Sequence, residues 1–393
     1  MFMYAIPMTE ITIPAFLSNH PFARHGENNL LPILERTGSS AAYTGKGVTI
    51  AFIDAGFYPH PDLQDRILVH VDASTNRVIE QYDEFDHLDL SWHGLMTSFI
   101  AAGDGRTSKG RYRGLANEAS LVLVKVSTPK GSIKERDILR GLRWVIDTHK
   151  RFNIKIVNIS VGGDDPNLDP ELPLHSAVKK LTDAGVTVVI AAGNRSVDYL
   201  LPPASAGEAI TVGGYDDQNT LETSHWRLYH HNYGQGTQGT QKPDLIAPAA
   251  WIASPIMPGT MVEREARWLA PLLASPTPSF MKKLLRKGHS DLGLDLSADS
   301  EPDERLYRQL QQRIHAHKII DPFHQHVDGT SVAAPFVTST IAQMLEANPR
   351  LTPTEIRAIL TRTAQPLPHV PAPMQGAGRV CAAEAVRAAL ELT

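Results

Sequence analysis

The sequence predicts an α/β protein built on a parallel sheet flanked by helices on both faces, with a helical insertion before the segment around Ser331. Three observations carry that expectation. From Gly45 onward, apolar runs of strand length alternate with stretches of helical periodicity. The runs are apolar throughout, the pattern of strands covered on both sides. The chain is also large enough for such a body, with 393 residues of which 42% are hydrophobic and 20% charged. That composition excludes wholesale disorder and needs no disulfide or metal for folding.

Residues 1–40 show weak periodicity and read as an N-terminal extension, with a regulatory role in view, to a domain spanning 41–393. Gly47-Val48-Thr49-Ile50-Ala51-Phe52-Ile53 is the first strand, stopped by the turn residues Asp54-Ala55-Gly56. Leu121–Val126 is a further strand, and Ile133–His149 a helix with Ile138, Leu142, Val145 and Ile146 on one stripe. Ile154–Ile159, Leu174–Ala184 and Val186–Ala191 continue as strand, helix, strand. From about 255 to 325 the rhythm breaks into a segment rich in Pro, Lys, Arg, Glu and Asp. Met261–Ala274 and Arg305–Ile320 read as helices within it, Leu306, Leu310 and Ile314 lying four apart, so it is an insertion and not a separate domain. Phe336–Leu345 reads as a helix, and no internal repeat is present. Ligands of such sheets sit beyond the carboxyl ends of the strands.

Charge and cysteine usage narrow the partners. Lys and Arg total 38 against 42 Asp and Glu, a net charge of −4, which argues against a dedicated nucleic-acid binder. The single cysteine, Cys381, excludes an intrachain disulfide and fits a reducing compartment. No run approaches the ~20 apolar residues of a membrane span. Met1–Leu17, interrupted by Pro7, Glu10 and Pro14 and without a basic leader, makes a poor secretory signal. A cytoplasmic protein without nucleic-acid or membrane partners is expected; secretion and oligomeric state stay open.

Three side chains stand where such a body presents chemistry. Ser331, in Gly329-Thr330-Ser331-Val332-Ala333-Ala334-Pro335, lies between a Gly-containing turn and a helix. Backbone N–H groups and the positive end of the helix dipole face any anion formed there. That suits a nucleophilic serine, whose tetrahedral intermediate is negative, although an N-cap serine has the same signature. His93, in Ser91-Trp92-His93-Gly94-Leu95-Met96-Thr97, begins a helix and can take a proton near neutral pH. Among 17 histidines, an ordinary surface histidine reads the same way. Asp54, at the end of the first strand, can hold an imidazole tautomer or simply serve the turn.

Taken together in the order Asp54, His93, Ser331, these residues resemble the subtilisin-like serine proteases, or subtilases, whose own triad runs in that chain order. Gly45–Gly56 followed by His60-Pro61-Asp62-Leu63 is similar to the family's aspartate block, and His93-Gly94 to its histidine block. Tyr112–Ala116 and Leu123–Val126 resemble the following connector and strand, and Asn158–Gly163 the edge that pairs with substrate. Ala191-Ala192-Gly193-Asn194 resembles the oxyanion block, and Lys242–Pro248 the stretch before the serine block. The likeness spans roughly Gly45–Ala250 and Val327 to about Ala389, in a layout most similar to the intracellular bacterial subtilisins.

The resemblance implies a serine endopeptidase acting on extended polypeptides. Ser331 would attack the peptide carbonyl, His93 would carry the proton, Asp54 would orient His93, and Asn194 would donate to the oxyanion. Ser160, Val161, Gly162 and Gly163 would pair with substrate main chain. Ala191, Ala192 and Gly193 would form a small-residue wall, leaving a roomy, uncharged pocket that prefers an apolar or aromatic residue before the scissile bond. No cofactor is required for the chemistry. Two other readings stand beside this one: a catalytically silent peptide-binding pseudoprotease, and a ligase or cyclase passing the acyl group to an amine.

The departures from the family carry expectations of their own. Ala55 stands where a hydroxyl residue usually bonds the carboxylate, so Asp54 should be held less tightly. Leu95 and Phe99 replace a threonine and a glycine, so packing near His93 must differ. Asp62 matches a calcium-binding position of some relatives, but the Gly103–Gly110 loop lacks their ligand pattern. Structural calcium is left open and no metal residue is assigned. Pro202-Pro203 falls at a turn where the family often has a cis proline. The insertion leads directly into the serine segment and is expected to be a lid or wall at the cleft, or else a surface ornament or dimer contact. Ile11-Thr12-Ile13-Pro14-Ala15-Phe16 loosely resembles the segment that crosses the active site of intracellular relatives. Activity should fall below about pH 6–7 as His93 protonates, following the ordinary histidine range.

Overall fold

The computed structural model describes Pro21 and residues 30–81, 90–274, 278–294 and 303–392. The chain divides into two compact units, one joining Leu31–Pro255 with Val327–Thr393, the other holding Ile256–His326. The hexapeptide Ile11–Phe16 lies outside the described residues. Residues 31–40 belong to the larger unit, where the short helix α1 (Ile33–Thr37) carries the buried Arg36.

Among the described residues, nine strands of the larger unit form one sheet. They are β1 (Thr49–Asp54), β2 (Ile67–Asp72), β3 (Ile79–Glu80), β4 (Ser120–Lys125), β5 (Ile154–Ile159), β6 (Thr187–Ala191), β7 (Ile210–Asp216), β8 (Arg227–Leu228) and, after the antiparallel pair β9 (Gly234–Gln235) and β10 (Gln241–Lys242), β11 (Leu245–Pro248). Their order is β11-β7-β6-β5-β1-β4-β2-β3, with β8 beside β7. Pairing is parallel except at the two-residue strands β3 and β8. These follow their partners through short connections that only an antiparallel return allows.

Strand side chains alternate between two cores, as a period of two requires. Ile50, Phe52, Leu121 and Leu123 enter one core, whereas Ala51, Ile53, Val122 and Val124 enter the other. The first core is closed by α2 (Ser91–Ala102), α8 (Thr330–Ala347), α9 (Pro353–Thr363) and α11 (Ala382–Leu390), the second by α3 (Glu135–Thr148) and α4 (Pro173–Asp183). Helix α8 is buried nearly all round, which explains why it has no polar face: Val332, Ala333, Ala334, Phe336, Val337 and Ile341 are fully enclosed. The α3 crossover from β4 to β5 passes over β1, so β2 and β4 lie to one side of β1 and β5, β6 and β7 to the other. The crevice beyond the strand ends at such a reversal is where open α/β sheets bind ligands. Asp54 ends β1 there, and Ser160 follows β5.

Helix α8 begins at Thr330 and not at the expected Phe336, so Ser331 and Pro335 both lie inside it. Pro335, which lacks an N–H for the Ser331 carbonyl, reads in the sequence as a breaker but is carried by a helix packed on every side. The peptide bonds Pro202-Pro203 and Lys242-Pro243 are cis.

The smaller unit contains α5 (Met261–Ala274), α6 (Pro278–Gly288) and α7 (Glu304–Ala316) and ends in strand β13 (His324–Val327), β12 (Ile252–Pro255) being the last strand before it. Leu269, Leu272, Met281, Leu285, Leu306, Leu310 and Ile314 make its own core. Among the described residues, none of this unit belongs to either sheet core. Helix α7 stops before the expected Ile320 because Lys318 takes a positive φ of 53°. Among the described residues, no helix is long and apolar enough to cross a membrane.

Candidate active site

The carboxylate of Asp54 is wholly buried at the end of β1. Its Oδ1 accepts the Ala55 N–H at 2.6 Å and bonds His93 Nδ1 at 2.5 Å. Its Oδ2 accepts the Thr97 hydroxyl at 3.0 Å. The looser hold expected from Ala55 is therefore not what the structure has: a hydroxyl one helical turn beyond His93 bonds the carboxylate from α2.

His93 is the third residue of α2 and its side chain is 21% exposed. With Nδ1 on Asp54, its Nε2 is the nitrogen left to face a reactant. Trp92 meets the imidazole ring edge-to-face, with centroids 5.4 Å apart. Helix α2 starts hard against the turn that follows β1; a Cβ on Gly94 would stand 2.1 Å from the Gly56 carbonyl oxygen. Only glycine permits that approach, and the approach brings the imidazole to Asp54. Burial works to lower the His93 pKa, but the Asp54 charge and hydrogen bond outweigh it, and the net shift is upward from 6.5. An acid limb governed by His93 would move up accordingly.

Ser331 is the second residue of α8. Its hydroxyl donates to the Ser160 carbonyl at 3.4 Å, and no hydrogen bond joins it to His93. The structure thus brings Asp54 and His93 together and sets Ser331 against the end of β5, without closing the His93–Ser331 contact. Such contacts are often long without substrate and tighten when it binds.

Asn194 presents its amide nitrogen by elimination. Its Oδ1 accepts both the Thr330 N–H at 2.8 Å and the Thr330 hydroxyl at 2.9 Å. Among the described residues neither Asn194 Nδ2 nor the Ser331 N–H donates to a protein acceptor. A Cβ built on Gly329, at φ +132°, would stand 3.3 Å from that Nδ2 and 3.8 Å from the Ser331 nitrogen. Only glycine leaves this space, faced by two donors, empty. Asn232 braces the turn from the other side, its Oδ1 accepting the Arg195 N–H at 2.7 Å and its own N–H bonding the Gly193 carbonyl at 3.0 Å.

The proposed substrate edge is only partly open. Gly163 already donates its N–H to the Pro202 carbonyl at 2.6 Å, so that amide is not available to a peptide. Among the described residues the Val161 and Gly162 main-chain groups make no hydrogen bond. Ser160 is buried, and its carbonyl accepts the Ser331 hydroxyl. On the other wall Ala192 is buried and Ala191 half-buried, while the Gly193 N–H donates to the Thr330 hydroxyl at 3.0 Å.

Asp62 is fully buried, with Oδ1 accepting the Thr107 N–H at 3.1 Å and Oδ2 without a partner. The nearby acids Asp65 and Asp104 both pair with Arg106 at 2.7 Å. One unpaired carboxylate oxygen is no evidence for calcium, which takes six to eight oxygen ligands. Among the described residues no cluster of three or more His, Cys, Asp or Glu could hold a metal ion.

A buried carboxylate bonded to an imidazole, and a serine at a helix start, are groups that acyl transfer can use. Comparison with known proteins narrows this. The profile of the subtilase family (peptidase S8) matches residues 45–378. The serine protease AprX of Bacillus subtilis (strain 168) is 32% identical over 351 residues, covering 87% of this chain and 67% of AprX. A thermophilic serine proteinase of Bacillus sp. (strain AK1) is 28% identical over 288 residues, covering 66% of this chain and 65% of that relative. Among solved structures, a protease from Pseudoalteromonas arctica PAMC 21717 shares the fold with a TM-score of 0.60 at 23% identity, covering 95% of this chain and 97% of the other. The chain belongs to the subtilase family and is a serine protease, a hydrolase of peptide bonds.

Three site residues escape the sequence reading: Thr97, Thr330 and Asn232. Thr97 had a legible signal, since it lies four positions after His93 on the same helix face. Asn232 had none; its partners are 37 and more positions away.

Proposed function

We propose that this chain is an endopeptidase of extended polypeptides, with Asp54, His93 and Ser331 as its proton relay and Asn194 and the Ser331 N–H as its oxyanion donors. The observation that carries the reading is the 2.5 Å bond between buried Asp54 and His93 at the carboxyl edge of the sheet. Ser331 Oγ attacks the carbonyl carbon as its proton passes to His93 Nε2, and Asp54 steadies the imidazolium. Negative charge grows on the carbonyl oxygen, for which the two unpaired donors beside Gly329 are suited. His93 then protonates the leaving amine, and water releases the acyl group by the reverse sequence. The unpaired main-chain groups of Val161 and Gly162 favour an extended peptide recognised through its backbone. The silent-scaffold alternative drew on Ala55 and Leu95 spoiling the alignment; the Thr97 bond to Asp54 speaks against the Ala55 part of it.

A fluorophosphonate probe tests the reading. Ser331 should be labelled within minutes in the intact chain, and Ser331→Ala should remain unlabelled. Labelling that survives Ser331→Ala, or an unlabelled intact chain, would end it. Product masses from a peptide substrate separate hydrolysis from transfer to an amine.

A further inference from the structure

We infer that Thr97 is a positioning residue, the second point at which helix α2 holds Asp54 for work with His93. The inference rests on the protease reading only in taking Asp54 as the partner of a working imidazole.

Asp54 Oδ1 is held by the Ala55 N–H and by His93, whereas Oδ2 has the Thr97 hydroxyl. Both Thr97 and Asp54 are fully buried, so water offers no substitute donor. The Thr97 hydroxyl has one proton and two acceptors in reach, Asp54 Oδ2 at 3.0 Å and the Gly94 carbonyl at 3.1 Å. Back-bonding to a helix carbonyl is the ordinary habit of threonine. The charged acceptor is the stronger one, and a bond to it relieves a buried carboxylate oxygen that otherwise has no donor. His93 and Thr97 are one turn apart on a rigid helix, so one carboxylate gripping both fixes the imidazole plane as well as its tautomer. Residue 55, an alanine, has no hydroxyl to offer, and α2 supplies one instead.

The experiment compares Thr97→Val, which keeps shape and loses the donor, with Thr97→Ser, which keeps the donor. Two readouts are needed. NMR titration of the His93 ring reports the Asp54 pair whether or not Ser331 reacts, and the rate of fluorophosphonate labelling reports Ser331 itself. In Thr97→Val the Asp54 charge is less offset, so the His93 midpoint should rise by about half a pH unit or more, and labelling should slow about tenfold through lost alignment. Thr97→Ser should return both towards the parent chain. A His93 midpoint unmoved or lowered in Thr97→Val would overturn the inference, as would a Thr97→Ser variant behaving like the valine. Failure of the protease reading shows separately, as an unlabelled parent chain with an intact His93 shift.

Discussion

At the scale of single residues, the charge on Asp54 sets where the imidazole works. His93 titrates above its ordinary 6.5 because the carboxylate's attraction exceeds the opposing effect of burial. A raised histidine stabilises the fold while protonated, so that contribution is complete below pH 6.5 and is lost as pH rises through the folded midpoint. On the proposed mechanism activity has the opposite sign, since His93 must be neutral to take the proton. It should be full well above the midpoint and fall as pH drops through it, with the limb of kcat/KM above 6.5. A limb at or below 6.5 in a pH–rate profile would mean that Asp54 does not act on His93 as the 2.5 Å contact implies. Trp92, 38% exposed, adds an apolar ring at the same imidazole.

Among the elements, α1 is short but firmly tied. Arg36 is fully buried and pairs with Asp217, while its remaining donors reach Asn219 Oδ1 at 2.9 Å, the Trp251 carbonyl at 2.7 Å and the Leu31 carbonyl at 3.0 Å. An ion pair this deep holds the helix chiefly because neither partner can be left alone. Arg36→Ala strands Asp217 and should cost about 3–5 kcal/mol, read as a lower urea midpoint at unchanged slope. A loss under about 1 kcal/mol, the worth of an exposed pair, would show that water reaches Asp217. Helix α8 makes a different point. Its apolar surround lets it carry Pro335 and so start early enough to hold Ser331 in its first turn.

For the molecule as a whole, the separate cores bear directly on the insertion. The described residues of Ile256–His326 have their own apolar cluster and contribute to neither sheet core. A chain in which a short Gly/Ser linker replaces residues 256–326 should therefore fold and keep its labelled serine. It also tests the expected lid. Losing a lid should raise cleavage of a folded protein relative to a short peptide, whereas the same ratio in both chains would leave the insertion without that role.

The sequence by itself determined the sheet's central strands, helices on its two faces and the residue types of the proposed site. Apolar runs, helical stripes and turn residues are local patterns, and backbone geometry converts them into elements without help from distant parts of the chain. The resemblance carried by Asp54, His93, Asn194 and Ser331 was legible for the same reason, each lying in a short recognisable block. Only the tertiary structure decided how they are held. Thr97 finds Asp54 across 43 positions and Asn194 finds Thr330 across 136, while Gly163 turns its N–H away from the open edge to Pro202. A hydrogen bond goes to whichever partner packing brings within about 3 Å, and that proximity is a property of the folded chain, not of any window along it.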